Sequence, residues 1–375
     1  MDVDDQEIVS HHKAYAIIPK VGGILSIIGC VLILRDVSLK VKEHKAIPLT
    51  AKIMTLITVA NLFIAFWENF LSTWMVPKES VAFMASGNAA TCDLQAFISV
   101  LMYMILETAY TMLSALYYII VVRKDWTTQK TQSLSVVSSF LGIPIIMGLG
   151  TSIPLLAAQQ YNFDGVYSCS IAAYPLNCWH NNAPCTRAPN AAYIRALLYV
   201  YVLACFAMII MFLSMLVYNV KKQEAELAKD CDYLQGIRGK GWSNPVVGTC
   251  LRYLTVFFIP NLALMIWGVI DVSGIHLSDT GWRVVEYLYV ILWPMFGALN
   301  SLVYFRLRYL NVKKSTPESR WTSLIGKSLA IPSLMRLSTV DEALPPPMSP
   351  LMGQDDVYTP LFEDETATGS NNGVL

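Results

Sequence analysis

Acidic side chains within long apolar stretches are the residues of this sequence whose positions most clearly indicate chemistry. An ionisable side chain at membrane depth is costly, so it is a functional candidate by default. Glu107 is the clearest case, because it lies near the middle of an apolar stretch and has Tyr103 and Tyr110 close to it in sequence. The alternative is a protonated carboxyl group that is hydrogen-bonded to a neighbouring helix.

Two other apolar stretches carry further polar candidates. Glu68 and Asn69 occur in the second stretch of the chain, and Glu286 and Tyr289 occur in the last one. Together with the central glutamate, these side chains would line an outward-facing cavity with acidic and aromatic walls, which suits a cationic or hydrogen-bonding ligand. Trp267 is a further candidate for the lining, although membrane tryptophans more often lie at interfaces or in packing.

The elements that must position these residues are apolar stretches long enough to cross a bilayer. A hydrocarbon core of roughly 30 Å requires about 20 apolar residues in a helix. Hydrophobic residues make up 55% of the 375 residues and charged residues only 14%, against about 25% charged in soluble domains. Seven stretches meet the length requirement, at residues 15–34, 51–75, 94–122, 136–158, 192–219, 247–270 and 284–305. The predicted fold class is an all-α membrane protein, a seven-transmembrane helix bundle.

Lysine and arginine in the loops predict the orientation of this bundle, because loops rich in these residues stay cytoplasmic. The loops after the first, third, fifth and seventh stretches carry most of them. We therefore expect a plasma-membrane protein with an extracellular N-terminus at residues 1–13 and a membrane domain at 14–309. Residues 310–375 are polar, with scattered Pro, Ser and Thr, and this composition predicts a disordered cytoplasmic tail.

Four of the eight cysteines fall on the predicted outer side, where disulfides persist. Cys92 opens the third stretch, and Cys169, Cys178 and Cys185 lie in the loop before the fifth. Three pairings are open on sequence grounds. Cys178 and Cys185 are close in sequence and suit a local bridge, and Cys92 and Cys169 would then tie the loop to the third stretch. The alternative is that these thiols are free.

Two kinds of seven-helix chemistry lack their required residues. A retinal protein needs a lysine for the Schiff base, usually in its seventh helix, and the stretch at 284–305 contains none. A membrane metal hydrolase needs histidine and carboxylate ligands, and all five histidines lie in predicted loops or tails. We therefore expect no enzyme activity, no metal and no cofactor. The formal net charge of zero likewise provides no field for nucleic-acid binding.

The end of the seventh stretch, WPMFGALNSLVYFR, is similar to the seventh helix of the cyclic-AMP-receptor-like G-protein-coupled receptors. That class carries a Pro, then a Gly, then Asn, Val-Tyr and Arg at this spacing. Other similar segments are IPKVGGILSIIGC, LSTWMVP, SGNAATCDLQAF and ALYYIIVVR, and the resemblance covers residues 14–309. It implies a receptor for an extracellular small-molecule or peptide ligand, with a heterotrimeric G protein as partner. A membrane transporter or channel is the alternative.

Asn300 and Tyr304 in this segment resemble the NPxxY switch of rhodopsin-like receptors, with a serine in the place of the proline. In that family the Asn and Tyr rearrange their hydrogen bonds when the receptor opens towards its G protein. The alternative role of Asn300 is a packing hydrogen bond between helices. Kinks at Pro260 and Pro294 would let the sixth and seventh helices move. Asn61 belongs to the same predicted switch, at a position where many receptors carry an aspartate.

The resemblance also implies contacts on the cytoplasmic side. Three arginines are positioned to meet a G protein or, alternatively, the anionic lipids of the inner leaflet: Arg123, Arg252 and Arg306. Ser338 and Thr339 are candidate phosphorylation sites in the tail. Added charge there would end signalling or recruit a tail-binding kinase or adaptor.

Overall fold

The fold is a bundle of long helices with one short β-hairpin at one end. The computed structural model describes residues 3–43, 48–122, 132–176, 178, 184–230, 243–273 and 278–315. Within these residues the regular elements are α1 Val3–Glu43, α2 Leu49–Ile64, α3 Ala89–Val122, α4 Leu134–Ala157, β1 Tyr161–Phe163, β2 Cys169–Ile171, α5 Ala191–Asp230, α6 Ser243–Ser273, α7 Asp279–Leu292 and α8 Phe296–Ser315. Helix α3 is central, because it contacts α2, α4, α5 and the hairpin.

Most of the helices satisfy the requirements for a membrane span. Five segments are both long and apolar enough: Lys13–Leu39, Leu49–Phe70, Ala89–Val122, Leu134–Ala157 and Ala191–Gln223. A sixth candidate is the bent pair Thr280–Leu292 and Phe296–Arg306, and α6 contains the shorter apolar helix Thr255–Ile270. The described residues are therefore consistent with a multi-pass helical membrane protein that has five or six such spans, where the sequence predicts seven.

The outward faces of these helices are apolar, as a lipid-facing surface requires. Ile146 on α4 is 68% exposed, Val200 on α5 is 62% exposed and Leu262 on α6 is 53% exposed. Apolar side chains exposed along several helices would be unfavourable in water, where contiguous apolar surface is normally small. In lipid the helix satisfies its own backbone groups and presents these side chains to the acyl chains.

The last predicted span is broken rather than continuous. Helix α7 ends at Leu292, α8 begins at Phe296, and their axes differ by 49°. Pro294 lies in the break and has no N–H to donate. Ser26 of α1 bridges the gap, because its Oγ donates to the Pro294 carbonyl (2.6 Å) and accepts from the Ala298 N–H (3.1 Å). Pro260, the other predicted kink, lies within α6, which is assigned as one helix.

Small residues let α1 approach this break closely. A Cβ atom added at Gly22 would lie 2.7 Å from the Cβ of Pro294, and one added at Gly29 would lie 2.6 Å from Ser301 Oγ. Contact between membrane helices depends on such small residues, because lipid supplies no hydrophobic drive for association. The predicted tail begins at residue 310, whereas α8 continues to Ser315. The remainder of the tail lies outside the described residues.

Candidate functional site

Two disulfides hold the loop that contains the hairpin. Cys92 at the start of α3 is bonded to Cys169 in β2, and Cys178 is bonded to Cys185. This is the pairing that closeness in sequence favours among the three alternatives. Strands β1 and β2 pair antiparallel, with Phe163 opposite Cys169. We call this end of the bundle the hairpin end.

Gln95 fastens the hairpin to two helices at once. Its Oε1 accepts from the backbone N–H of Cys169 (3.0 Å), and its Nε2 donates to the carbonyls of Trp67 (2.8 Å) and Ser72 (3.0 Å). The side chain is fully buried, so these bonds satisfy polar groups that have no access to water. We did not predict this residue, although a glutamine one turn after Cys92 in an apolar helix is the signal that could have identified it.

A buried carboxylate shapes the tip of the hairpin. Asp164 Oδ1 accepts from the backbone N–H groups of Val166 (2.8 Å), Tyr167 (3.2 Å) and Ser168 (3.3 Å), and Oδ2 accepts from Ser168 Oγ (2.9 Å). Gly165 follows with a φ of 91°, in the left-handed region where a residue with a Cβ would be strained. Burial raises the pKa of Asp164 from 3.8 to about 6, although the four hydrogen bonds oppose this shift.

The raised pKa of Asp164 predicts a pH dependence of stability. Between pH 3.8 and about 6 the folded protein binds the Asp164 proton more tightly than the unfolded chain. The free energy of unfolding should therefore fall as pH rises through this window, by at most about 3 kcal/mol, and level off above it. Asp164→Asn should remove this slope in thermal unfolding of the purified protein. Glu79→Gln, at an exposed carboxylate, should keep it. Equal slopes in Asp164→Asn and the wild type would refute the assignment.

Tyr167 reaches from the hairpin tip into the bundle. It is fully buried, and its hydroxyl donates to Asn69 Oδ1 (3.2 Å) and lies within hydrogen-bonding distance of the Tyr289 hydroxyl (3.3 Å). Ser72 Oγ also donates to its backbone carbonyl (3.2 Å). Tyr167 therefore joins the hairpin to the seventh helix and adds to the link that Gln95 makes with the end of the second.

Several of the predicted ligand-binding residues pack together in a layer beneath Tyr167. Trp293 Nε1 donates to Glu68 Oε1 (2.8 Å), and the Trp293 ring packs against Tyr103 at 5.3 Å between centroids. Trp267 stacks on Tyr289 at 5.1 Å with nearly parallel planes (13°). Glu68 and Asn69 enter this layer from a π-helical turn, Ala65–Phe70, that continues α2; such turns are frequent at functional sites. Tyr167 of the hairpin covers Glu68 and Asn69, so these two side chains do not line an open cavity.

An open pocket of about 90 Å³ lies beside the hairpin tip. Its charged and aromatic lining consists of Asp164, Arg195, Trp267, Trp282 and Glu286. Glu286 Oε2 accepts from the Tyr15 hydroxyl (2.7 Å), whereas Trp267 Nε1 is buried without a hydrogen-bond partner. The pocket therefore contains two residues predicted from the sequence, Trp267 and Glu286. Asp164 and Trp282 were not predicted, because the approach of the hairpin to α7 depends on the tertiary fold.

The other predicted site residues lie deeper in the bundle. Glu107 is 0% exposed and does not line the pocket. Tyr110, which we expected near the ligand, accepts a hydrogen bond from Asn300 Nδ2 instead. Its ring packs against Phe257 at 4.6 Å and Phe296 at 6.0 Å between centroids. This contact joins the third, sixth and last helices at the level of the predicted switch.

The rest of the predicted switch lies around and beyond this contact. Tyr304 donates to Asp36 Oδ2 of α1 (2.7 Å), a partner that sequence reasoning missed. Asn61 is buried, and its Nδ2 has no hydrogen-bond partner. Of the predicted cytoplasmic contacts, Arg306 is exposed and Arg252 lies on α6. Arg123, Ser338 and Thr339 lie outside the described residues.

Comparison of the chain with protein-family models finds no match, and comparison with curated proteins finds none either. In the described part of the chain, no group of three or more His, Cys, Asp or Glu residues is placed to hold a metal ion. The function must therefore be inferred from the contacts of the pocket and of the deeper polar residues.

Proposed function

We propose that the protein is a G-protein-coupled receptor whose hairpin end faces the extracellular side. A ligand binds in the pocket beside the hairpin tip, and the opposite end activates a heterotrimeric G protein. The extracellular N-terminus, the plasma-membrane location and tail phosphorylation at Ser338 and Thr339 belong to the same proposal. The disulfides support this orientation, because the outer side of the cell membrane is oxidising.

The observation that carries the proposal is a chain of aromatic contacts from the pocket towards the predicted switch. Trp267 contributes to the lining of the pocket and stacks on Tyr289. One helical turn further, Trp293 donates its backbone N–H to the Tyr289 carbonyl (3.0 Å). The Trp293 ring contacts Phe296 beyond the break, at 6.0 Å between centroids. A ligand that moves Trp267 would therefore act on both sides of the break at Pro294.

On the far side of the break, Phe296 packs against Tyr110, which is bonded to Asn300. Opening would require a ligand that binds the open arrangement more tightly than the closed one, because only differential affinity shifts such an equilibrium. The 49° bend between α7 and α8 is a place where a hinge would absorb this change. The proposed mechanism is thus a hinge motion at Pro294 that breaks the contact between Tyr110 and Asn300.

The coupling itself is tested with purified protein in a bilayer and a panel of G proteins from its own cell. We expect ligand-dependent nucleotide exchange on at least one of them. A screen of ligands on cells that express the protein with the same panel supplies the agonist. Failure to promote exchange on any G protein of that cell would refute the proposal.

The pocket is tested separately by Trp267→Phe, which keeps an aromatic ring but removes the indole N–H. A hydrogen bond from Nε1 to the ligand is worth about 1 kcal/mol, so we expect agonist potency to fall about five-fold. Surface expression should stay unchanged, and Tyr193→Phe, at an exposed tyrosine of α5, is the matched control. If potency is the same in Trp267→Phe and the control, Trp267 does not bind the ligand.

One observation favours a transporter as the second candidate. The last span is broken at Pro294 beside buried polar groups, and discontinuous helices commonly form the substrate sites of transporters. The two functions are distinguished in sealed vesicles that contain the purified protein. Flux of a substrate across the vesicle membrane would favour the transporter, whereas nucleotide exchange without flux would favour the receptor.

A further inference from the structure

Glu107 is a carboxyl group at the centre of the bundle whose two oxygens both lack a hydrogen-bond partner. The same is true of Tyr103 Oη, one turn earlier on α3, and of Asn261 Oδ1 on α6. Glu107 and Asn261 are both fully buried. Buried polar atoms are nearly always hydrogen-bonded in folded proteins, so a cluster of four such atoms requires an explanation.

The orientation of Asn261 is determined by its own helix. Its Nδ2 donates to the Phe257 carbonyl at 3.0 Å, whereas a flipped amide would place its oxygen against that carbonyl. Oδ1 is therefore the amide atom that has no hydrogen-bond partner. The Asn261 side chain is in contact with the Glu107 carboxyl group. Where the carboxyl group faces Oδ1, the two acceptor oxygens attract each other only when a hydrogen lies between them.

No described cation balances a charge on Glu107. Lys20, which lies within the apolar segment Lys13–Leu39, donates to the Leu71 carbonyl (3.4 Å) and to Thr73 Oγ1 (3.3 Å). The titratable groups that face the carboxyl are the hydroxyls of Tyr103 on α3 and Tyr201 on α5 and the thiol of Cys205 on α5. A second acid, Glu68, lies beyond Tyr103. Helix α4 contains no titratable residue. An ionised Glu107 would be a buried charge without a partner, which is strongly unfavourable.

We propose that Glu107 is a proton-binding site that joins α3 to α6. In the present arrangement the carboxyl is a neutral acid whose O–H donates to Asn261 Oδ1. One proton taken from solvent thus pairs two atoms that otherwise have no partner, a Glu107 carboxyl oxygen and Asn261 Oδ1. Loss of this proton leaves the carboxylate facing the Asn261 oxygen, and the repulsion favours separation of α3 and α6. Proton binding therefore stabilises the closed bundle, whether or not the protein couples to a G protein.

Infrared spectroscopy tests the site without any ligand. The wild-type protein in lipid nanodiscs at neutral pH should show the carbonyl band of a protonated carboxylic acid, and Glu107→Gln should lose it. Glu79→Gln, at an exposed carboxylate, should lose only a carboxylate band and serves as the control. If Glu107→Gln instead loses a carboxylate band, Glu107 is ionised and the proposal is wrong.

A second variant identifies the acceptor and does not require Glu107 to be changed. Asn261→Leu removes the acceptor, so the acid band should persist and shift to higher frequency as its hydrogen bond is lost. An unshifted band in Asn261→Leu would refute the shared proton. Replacing sodium in the buffer with a large organic cation should leave the wild-type band unchanged. A wild-type acid band that appears only when sodium is removed would show a metal-cation site and overturn the proposal.

Discussion

Replacing Cys92 and Cys169 by serine is expected to destabilise the protein much more than the same change at Cys178 and Cys185. The first bridge closes a segment with a sequence separation of 77, and the second closes one of 7. In the chain-entropy account such bridges contribute about 4.5 and about 2.3 kcal/mol respectively. Both values are upper estimates here, because helices that remain in the membrane already restrict the unfolded chain.

The larger effect also has a local structural reason. Without the Cys92–Cys169 bridge, the hairpin is held mainly by the Gln95 contacts and by Tyr167. Its release would admit water to the Glu68 carboxyl group, which the Tyr167 side chain helps to cover. Thermal unfolding of the two double variants measures the stability, and hydrogen exchange of residues 161–171 measures the opening of the hairpin.

Cys178→Ser with Cys185→Ser is the matched control, since it removes a bridge without detaching β2 from α3. We expect hydrogen exchange of the hairpin in this control to stay close to the wild type. Equal losses of stability and equal exchange in the two double variants would contradict the prediction. In that case the hairpin would be held by its hydrogen bonds alone.

In the proposed receptor, Tyr110→Phe is expected to raise nucleotide exchange on the G protein in the absence of ligand by about five-fold. The change removes the hydroxyl that accepts from Asn300 Nδ2 but keeps the ring against Phe257 and Phe296. A typical hydrogen bond contributes about 1 kcal/mol, and its loss from the closed arrangement alone shifts the equilibrium towards the open one by that amount. Exchange of labelled nucleotide on the coupled G protein is the measurement.

The control for Tyr110→Phe is Tyr193→Phe, which changes an exposed tyrosine of α5. Asn300→Ala should act in the same direction as Tyr110→Phe, and the double variant should add little, because both remove one bond. If basal exchange does not change while surface expression and stability stay normal, the bond between these residues is a packing contact. The alternative role of Asn300 would then be the correct one.

Residues of the candidate site could be predicted where a polar side chain lies within an apolar stretch, because burying it there without a partner costs free energy. Glu68 and Glu286 stand out because a carboxyl in an apolar stretch demands a partner, and both have one: Trp293 and Tyr15. The partners themselves were not predictable as pairs. Tyr110 and Asn300 are separated by 190 positions in the sequence, and nothing in the local pattern around Tyr110 distinguishes a wall of a ligand pocket from a partner of the switch.

Five of the seven predicted spans, and a sixth if the bent pair is counted, recur in the described residues. They could be predicted because the length of an apolar stretch is a local property of the sequence. The four disulfide-bonded cysteines, the proline at the break and the buried acids are likewise visible as residue types. Tertiary structure alone decided that Ser26 bridges the break, that Tyr167 closes the layer above Glu68 and that the Glu107 side chain contacts Asn261. Each of these depends on how helices distant in sequence are packed, and a polar group in lipid is satisfied only by the neighbours that packing supplies.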